Sequence, residues 1–219
     1  MDTDDGPAYT SRMEALVAGW RRRWQSGFPF YYAQVAQHLY SVVRPDRVFH
    51  GAESAPLLRE AQAQALRIPQ TAMIATTDLV DDLRDIHPRD KKSVGQRLAN
   101  LALATTYGRS DIEPYGPVYR ALEIRGDKAV LSFDHAECLA ARDGKPLDWF
   151  EIAGADGRYY PAGATIDAGK VVAAAEVPRP VSVRFAWHEA AQPNLVNRAG
   201  LPAFPFGSTH PMPRNAFLR

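Results

Sequence analysis

Apolar residues recur at helical spacing from the start of the chain. Met13, Leu16, Val17 and Trp20 fall on one stripe with Trp24 a turn further on, which predicts an amphipathic helix over residues 9–25 with Arg21, Arg22 and Arg23 clustered beside it. Ser26-Gly27 ends it. Residues 28–36 are aromatic and β-branched on successive positions, the pattern of a strand buried on both faces, with Pro29 near its start. Residues 38–53 lack a period and contain Pro45, Asp46 and Gly51, so they predict a long loop. Ser54 then caps a helix with Pro56 in its first turn and Leu57, Leu58, Ala61, Ala65 and Leu66 on its apolar face, running to Arg67. A second strand follows over residues 71–77, then a loop dense in carboxylates. Asp90 caps a further helix in which Val94, Leu98, Leu101, Ala102 and Thr105 face inward until Tyr107-Gly108.

Helix, strand, helix, strand, loop, helix is the order of an α/β fold: a parallel sheet covered by helices, with its chemistry at the carboxyl ends of the strands. The pattern changes at Pro114-Tyr115-Gly116-Pro117. Residues 118–125 and 128–133 predict a hairpin across Gly126-Asp127, a favoured two-residue turn. Residues 149–153, 158–160, 170–174 and 181–187 read as further strands, with Gly144, Gly154, Asp156-Gly157 and Gly169 at the turns. This half is expected to be a small antiparallel β-sandwich. From Gln192 onward the chain is rich in Pro, Asn and aromatics and is expected to pack as an irregular strap. The organisation is therefore read as two domains, residues 1–113 and 114–219.

Composition narrows the function classes. With 219 residues, 46% hydrophobic and 23% charged, the chain can bury a proper core. A net charge of +1 provides no field to gather polyanions, so nucleic acid is not an expected partner, and Arg21-Arg22-Arg23 reads as a solvated helix face. The lone Cys138 excludes an internal disulfide and offers no metal-ligand pairing. No run is long enough to cross a bilayer and no secretory signal is visible, so the membrane is not an expected partner either. The polar lead from Met1 to Pro7 runs straight into a helix, as if the chain began midway through a larger design.

The candidate chemistry gathers where the second strand empties into Thr77-Asp78-Leu79-Val80-Asp81-Asp82-Leu83-Arg84-Asp85-Ile86-His87-Pro88-Arg89-Asp90. A carboxylate beside an imidazole fixes its tautomer and stabilises the imidazolium, which makes a general base for an oxygen nucleophile. The competing reading is a solvated acidic loop whose His87 only caps a strand. A serine nucleophile is not evident: Gly108-Arg109-Ser110-Asp111 follows a helix instead of a strand, and Gly207-Ser208 lies in the tail. His135-Ala136-Glu137 lacks the cysteine pair of a zinc deaminase. His38, His50, His188 and His210 show no metal-ligand spacing. Trp20, Trp24, Trp149 and Trp187 are expected in packing, and no glycine-rich phosphate loop is present. No metal or cofactor is expected.

Several stretches follow one another in a meaningful order. They are Trp20-Arg21-Arg22-Arg23-Trp24, Phe28-Pro29-Phe30-Tyr31, Leu58-Arg59-Glu60-Ala61-Gln62 and Thr77-Asp78-Leu79 leading to Asp85-Ile86-His87-Pro88-Arg89-Asp90-Lys91. Downstream come Leu131-Ser132-Phe133-Asp134-His135, Arg142-Asp143-Gly144-Lys145-Pro146-Leu147, the run from Phe150 to Gly157, Val183-Arg184-Phe185-Ala186-Trp187 and the run from Asn194 to Ala203. Together these resemble, over nearly the whole chain, the carboxyl-terminal half of the sialate O-acetylesterase family, of the SGNH class of hydrolases.

The resemblance implies part of an SGNH-type three-layer parallel sheet in residues 1–113 and an accessory β domain after it. It implies that His87 is the catalytic base and Asp85 the first-choice triad acid. An Asp-x-His pair needs a tight turn to face itself, so Asp78 and Asp82 remain fallbacks. It implies a substrate carrying O-acetyl groups, sialic acid or a related sugar. The family's serine block and its Gln-Gly-Glu segment normally lie upstream of the first helix, and neither is present in this sequence. The chain is therefore expected to be a fragment inactive alone; the alternatives are one half of a two-chain acetylesterase completed by the missing amino-terminal half, or a carbohydrate-binding or inert β module. The family's members are often periplasmic or secreted, but the compartment of this chain stays open.

Overall fold

The computed structural model describes residues 6–43 and 51–213. The polar lead over residues 1–5, the middle of the expected long loop with His50, and the last six residues of the tail lie outside the described residues. Two compact units form. One comprises the described residues of 1–114, 188–190 and 212–219, the other residues 115–187 and 191–211.

In the first unit, strand β1 (Phe30–Ala33) pairs in parallel with β2 (Thr71–Ile74), from Phe30 opposite Thr71 to Ala33 opposite Ile74. Successive strand residues point to opposite faces, and β1 uses both. Phe30 and Tyr32 pack with Met13, Val17, Ala65 and Ile68, contributed by helix α1 (Gly6–Trp24) and the turns after β1's other helical neighbour, α3 (Ser54–Gln64). On the other face, the Tyr31 hydroxyl bonds to the Thr105 hydroxyl at 2.8 Å and to that of Thr106, at the end of helix α4 (Lys91–Thr105). A short helix α2 (Tyr40–Val43) follows β1. Both strands are shorter than the expected 28–36 and 71–77, because side chains take over the backbone pairing. The Val35 N–H donates to Gln62 Oε1 at 2.8 Å, and the Val35 carbonyl accepts from Arg59 Nε at 3.1 Å.

Helix α1 departs from its expected stripe. Met13 and Val17 are buried, but Leu16, Trp20 and Trp24 are 47%, 42% and 59% exposed. The two indoles instead contact each other at 4.7 Å between ring centroids, and Trp24 contacts Phe28 at 5.2 Å. Arg21 is more than a solvated charge: its guanidinium donates to the carbonyls of Phe28 at 3.1 Å and Pro69 at 2.9 Å, tying α1 to the entrances of both strands.

The second unit corrects the β-sandwich expectation. Its seven principal strands form one antiparallel sheet in the order β11-β9-β6-β7-β8-β4-β3. In chain order these are β3 (Val118–Arg125), β4 (Lys128–Asp134), β6 (Leu147–Ala153), β7 (Tyr159–Asp167), β8 (Lys170–Ala174), β9 (Ser182–Phe185) and β11 (Phe206–Gly207). Strands β5 (Ala140–Ala141) and β10 (Leu195–Val196) pair separately. The large sheet curls until its edges meet: Tyr119 on β3 stacks on Phe206 on β11 at 4.4 Å and 7°, and the Phe204 N–H donates to the Pro117 carbonyl at 3.0 Å. Register shifts between Tyr119 and Ala121 and between Leu147 and Phe150 supply the bending that a flat sheet lacks. The hairpin across Gly126-Asp127 forms as expected, with Arg125 opposite Lys128. The tail packs as expected, with Leu195, Phe204 and Phe206 buried, but it is not irregular throughout, since it provides the closing strand. Gly116 is required beside it, since a Cβ there would lie 1.9 Å from the Pro202 carbonyl oxygen. Among the described residues no helix is long and apolar enough to cross a membrane.

Candidate active site

The acidic loop leaves β2 and is fixed at once. The Thr76 hydroxyl donates to the Gln34 carbonyl at 3.0 Å. Asp78 is held by both oxygens: Arg97 of α4 grips them at 2.7 and 2.6 Å and also donates to the Ala75 carbonyl at 2.9 Å, with both side chains only 12–13% exposed. A carboxylate so occupied anchors the loop to α4 and is not offered to an imidazole.

Beyond Asp78 the carboxylates close small turns, as Asp side chains do by accepting backbone N–H groups two or three residues on. Asp82 Oδ1 accepts from the Arg84 N–H at 2.8 Å, Asp85 Oδ1 from the His87 N–H at 2.9 Å and Asp90 Oδ1 from the Ser93 N–H at 2.9 Å, the last capping α4 as expected. Asp81 instead lies 3.5 Å from the Arg89 guanidinium.

The turn at Asp85 is the tight one that an Asp-x-His pair needs. It brings Asp85 Oδ1 to 3.5 Å from His87 Nδ1, within ion-pairing reach though long for a hydrogen bond. Of the three acids considered with His87, Asp85 is the one brought to it; Asp82 serves the Arg84 amide and Asp78 serves Arg97. The His87 side chain is 82% exposed and Asp85's is 42% exposed. The His87 N–H holds the Asp85 carboxyl below the usual carboxylate range; burial opposes it, and the charges of His87 and Arg89 add to the lowering. An exposed imidazole with a carboxylate behind one nitrogen can accept a proton on the other, provided a nucleophile reaches it. Such contacts often shorten only when substrate is bound.

The other candidates are engaged structurally. Ser208 Oγ accepts the Val183 N–H at 2.9 Å, and Ser110 sits in a turn whose flanking Arg109 and Asp111 pair at 2.7 Å. His135 packs on Tyr115 at 5.0 Å. Glu137 pairs with Arg198 at 3.1 Å, and Cys138 Sγ accepts from the same guanidinium at 3.2 Å. His188 Nδ1 accepts the Ala190 N–H at 3.1 Å. His210 Nδ1 is 3.1 Å from the Thr209 hydroxyl, and the His38 ring meets Tyr40 edge-on at 4.7 Å. No group of His, Cys, Asp or Glu able to hold a metal occurs among the described residues.

Two buried charges were not singled out from the sequence. Arg59 is 1% exposed and donates to the carbonyls of Val35 (3.1 Å), Ala36 (3.4 Å), His188 (3.1 Å) and Glu189 (3.2 Å). Burial lowers its pKa to about 10, so it stays charged at neutral pH, with Tyr40 and Glu189 opposing the shift. The buried Glu189 carboxylate accepts the Ser41 N–H at 2.9 Å and the Ser41 hydroxyl at 2.5 Å. The available signal was an arginine between Leu58 and Ala61 on an otherwise apolar helix face.

No protein-family model matches the chain. A solved structure does: that of a carbohydrate acetylesterase from Xanthomonas citri superposes with a TM-score of 0.80 at 34% identity, over 91% of this chain and 46% of that one. The chain thus shares its fold with about half of a carbohydrate acetylesterase. Sialate O-acetylesterases of Rattus norvegicus and Homo sapiens are each 28% identical to it, over 64% and 66% of the chain, and that of Pongo abelii is 27% identical over 82%. Over most of its length the chain is thus similar to sialate O-acetylesterases. It spans 28–37% of the length of these three relatives.

Proposed function

We propose that the chain carries the base-bearing part of a serine-type carbohydrate O-acetylesterase, with His87 as general base and Asp85 as the residue that orients it. The serine nucleophile comes from polypeptide other than these 219 residues, and β1 and β2 belong to a larger SGNH-type parallel sheet. Residues 1–113 then form the catalytic contribution and residues 114–219 an accessory domain. The serine hydroxyl attacks the acetyl carbonyl as His87 takes its proton, and the same proton passes to the departing sugar oxygen; water then releases acetate from the serine by the reverse use of His87. The substrate is an O-acetylated sugar, sialic acid being the one in the names of the curated relatives.

The observation that carries this reading is the turn in which Asp85 accepts the His87 amide and faces its ring, on the loop that follows a parallel strand. The test is acetate release from O-acetylated sialic acid and from 4-nitrophenyl acetate. The chain alone is expected to give none above background. Supplied with a polypeptide bearing an SGNH-type serine block, it is expected to turn over, with His87→Ala abolishing the rate and Asp85→Asn lowering it by roughly 10³- to 10⁴-fold. Turnover by the chain alone that survives His87→Ala overturns the assignment. Turnover by the chain alone that requires His87 removes the need for a second polypeptide.

A further inference from the structure

The carboxyl ends of β1 and β2 bury more hydrogen-bonding capacity than they use. Gln34, Gln37, His38 and Thr77 are 2%, 0%, 3% and 1% exposed. Five of their side-chain atoms, Gln34 Oε1, Gln37 Oε1 and Nε2, His38 Nδ1 and Thr77 Oγ1, have no hydrogen-bond partner among the described residues. A buried polar atom without a partner is costly, and a native fold keeps few of them unless water or a ligand completes the bonds.

The backbone ties the two segments that carry the four residues to each other. Residues 34–39 and 76–83 run side by side from the strand ends, tied at one end by the Thr76 hydroxyl on the Gln34 carbonyl at 3.0 Å and at the other by the Leu39 N–H on the Leu83 carbonyl at 2.9 Å. Gln37, His38 and Thr77 lie between these ties along the chain, Thr77 directly before the acidic loop.

The chemistry of the set is specific. Gln37 offers an amide donor and an acceptor, Gln34 an acceptor, Thr77 a hydroxyl that does either, and His38 Nδ1 one or the other by tautomer. The charges nearby are already satisfied: Asp78 by Arg97, Glu189 by Ser41, and Arg59 by its carbonyls. A free ion would meet no countercharge. A neutral group that both donates and accepts fits, and a hydroxyl oxygen is the smallest of these.

We infer that Gln34, Gln37, His38 and Thr77 form an internal binding site for neutral hydroxyl groups at the carboxyl ends of the two parallel strands. Water supplies the hydroxyl in the free protein, and a sugar hydroxyl can replace it; only the sugar's part in this rests on the esterase reading above.

The experiment counts long-lived internal water molecules in the full chain by oxygen-17 magnetic relaxation dispersion, for the native protein and for Gln37→Leu and Thr77→Val. The native protein is expected to show such waters, and each variant fewer. If one variant does not fold, the other carries the comparison. Equal dispersion in native and variant proteins, together with a higher melting temperature for the variants, overturns the site, because relief of unpaired groups would then be the whole effect. Methyl α-glucoside is the sugar probe. A saturable loss of the native dispersion identifies a sugar subsite, whereas a signal that persists overturns the sugar exchange and leaves the water site standing. No step of this measurement reads catalysis, so its failure and that of the esterase assignment are separable.

Discussion

Asp85 and Asp78 show what a single carboxylate does here, and pH reads the first of them. The Asp85 pKa is lowered in the folded chain, so the turn it closes contributes fully above the ordinary aspartate value of about 4 and is lost as pH falls through the lowered value. The His87 amide resonance, followed by NMR, is expected to shift as acid is added through that range. Asp85→Asn should remove that part of the titration, and an unchanged acid-range profile would count against the turn. Asp78 is read by stability instead. Arg97→Ala strands a largely buried carboxylate and is expected to destabilise the first unit by about 3 kcal/mol in urea melts, toward the low end for a broken buried pair because both side chains keep some solvent contact. The pairing of Asp78 with Arg97 was not legible in the sequence, since nineteen positions separate the two and no local rule links them. The Asp85–His87 pair was legible as a spacing, but the turn that lets it close was not.

At the scale of elements, periodicity located the longer helices and strands because it reports which side of an element is apolar; it missed the short α2, β5, β10 and β11. It could not say how much of an apolar stripe is covered, and α1 exposes Trp20 and Trp24 along a stripe whose Met13 and Val17 are buried. It found the end of α1 to within a residue, but not the residue that turns the chain. Ser26-Gly27 was the expected stop, yet the residue that turns the chain is Gln25, at φ 51°, with the Ser26 N–H on the Arg21 carbonyl and the Gln25 N–H on the Arg22 carbonyl. This is the two-bond C-terminal motif that usually carries glycine at that position. A Cβ in the left-handed region costs roughly 1 kcal/mol, partly offset because glycine loses more chain entropy on folding. Gln25→Gly is therefore expected to raise stability by about 0.5 kcal/mol, read as a higher urea midpoint at unchanged slope. The sandwich expectation failed for a related reason: strand number and turn spacing are the same for two facing sheets and for one curled sheet, and the contact that closes the curl, Tyr119 on Phe206, spans the length of the unit's sequence.

Over the whole molecule, the change of pattern at Pro114 divided the chain into residues 1–113, read as part of a larger catalytic domain, and residues 114–219. The first compact unit also includes residues 188–190, which return to it after the β strands. Their backbone accepts the buried Arg59 guanidinium at His188 and Glu189, and the Glu189 carboxylate secures Ser41 at the start of α2. Cutting the chain at Pro114 removes all of these acceptors while leaving Arg59 in an apolar helix face, which is the situation in which a buried charge is most damaging. A polypeptide of residues 1–114 is accordingly expected to lose its sharp unfolding transition. Arg59→Met in the full chain, which takes the donor from four carbonyls and the positive charge from beside the buried Glu189 carboxylate, should cost about 3 kcal/mol or more. In the truncated chain the same substitution should cost much less, because most of its partners outside residues 35 and 36 are already gone. Urea melts of the four proteins form a double-mutant cycle on this coupling. A truncated chain that unfolds as cooperatively as the full one, with Arg59→Met equally harmful in both, would show that the first unit does not depend on residues 188–190.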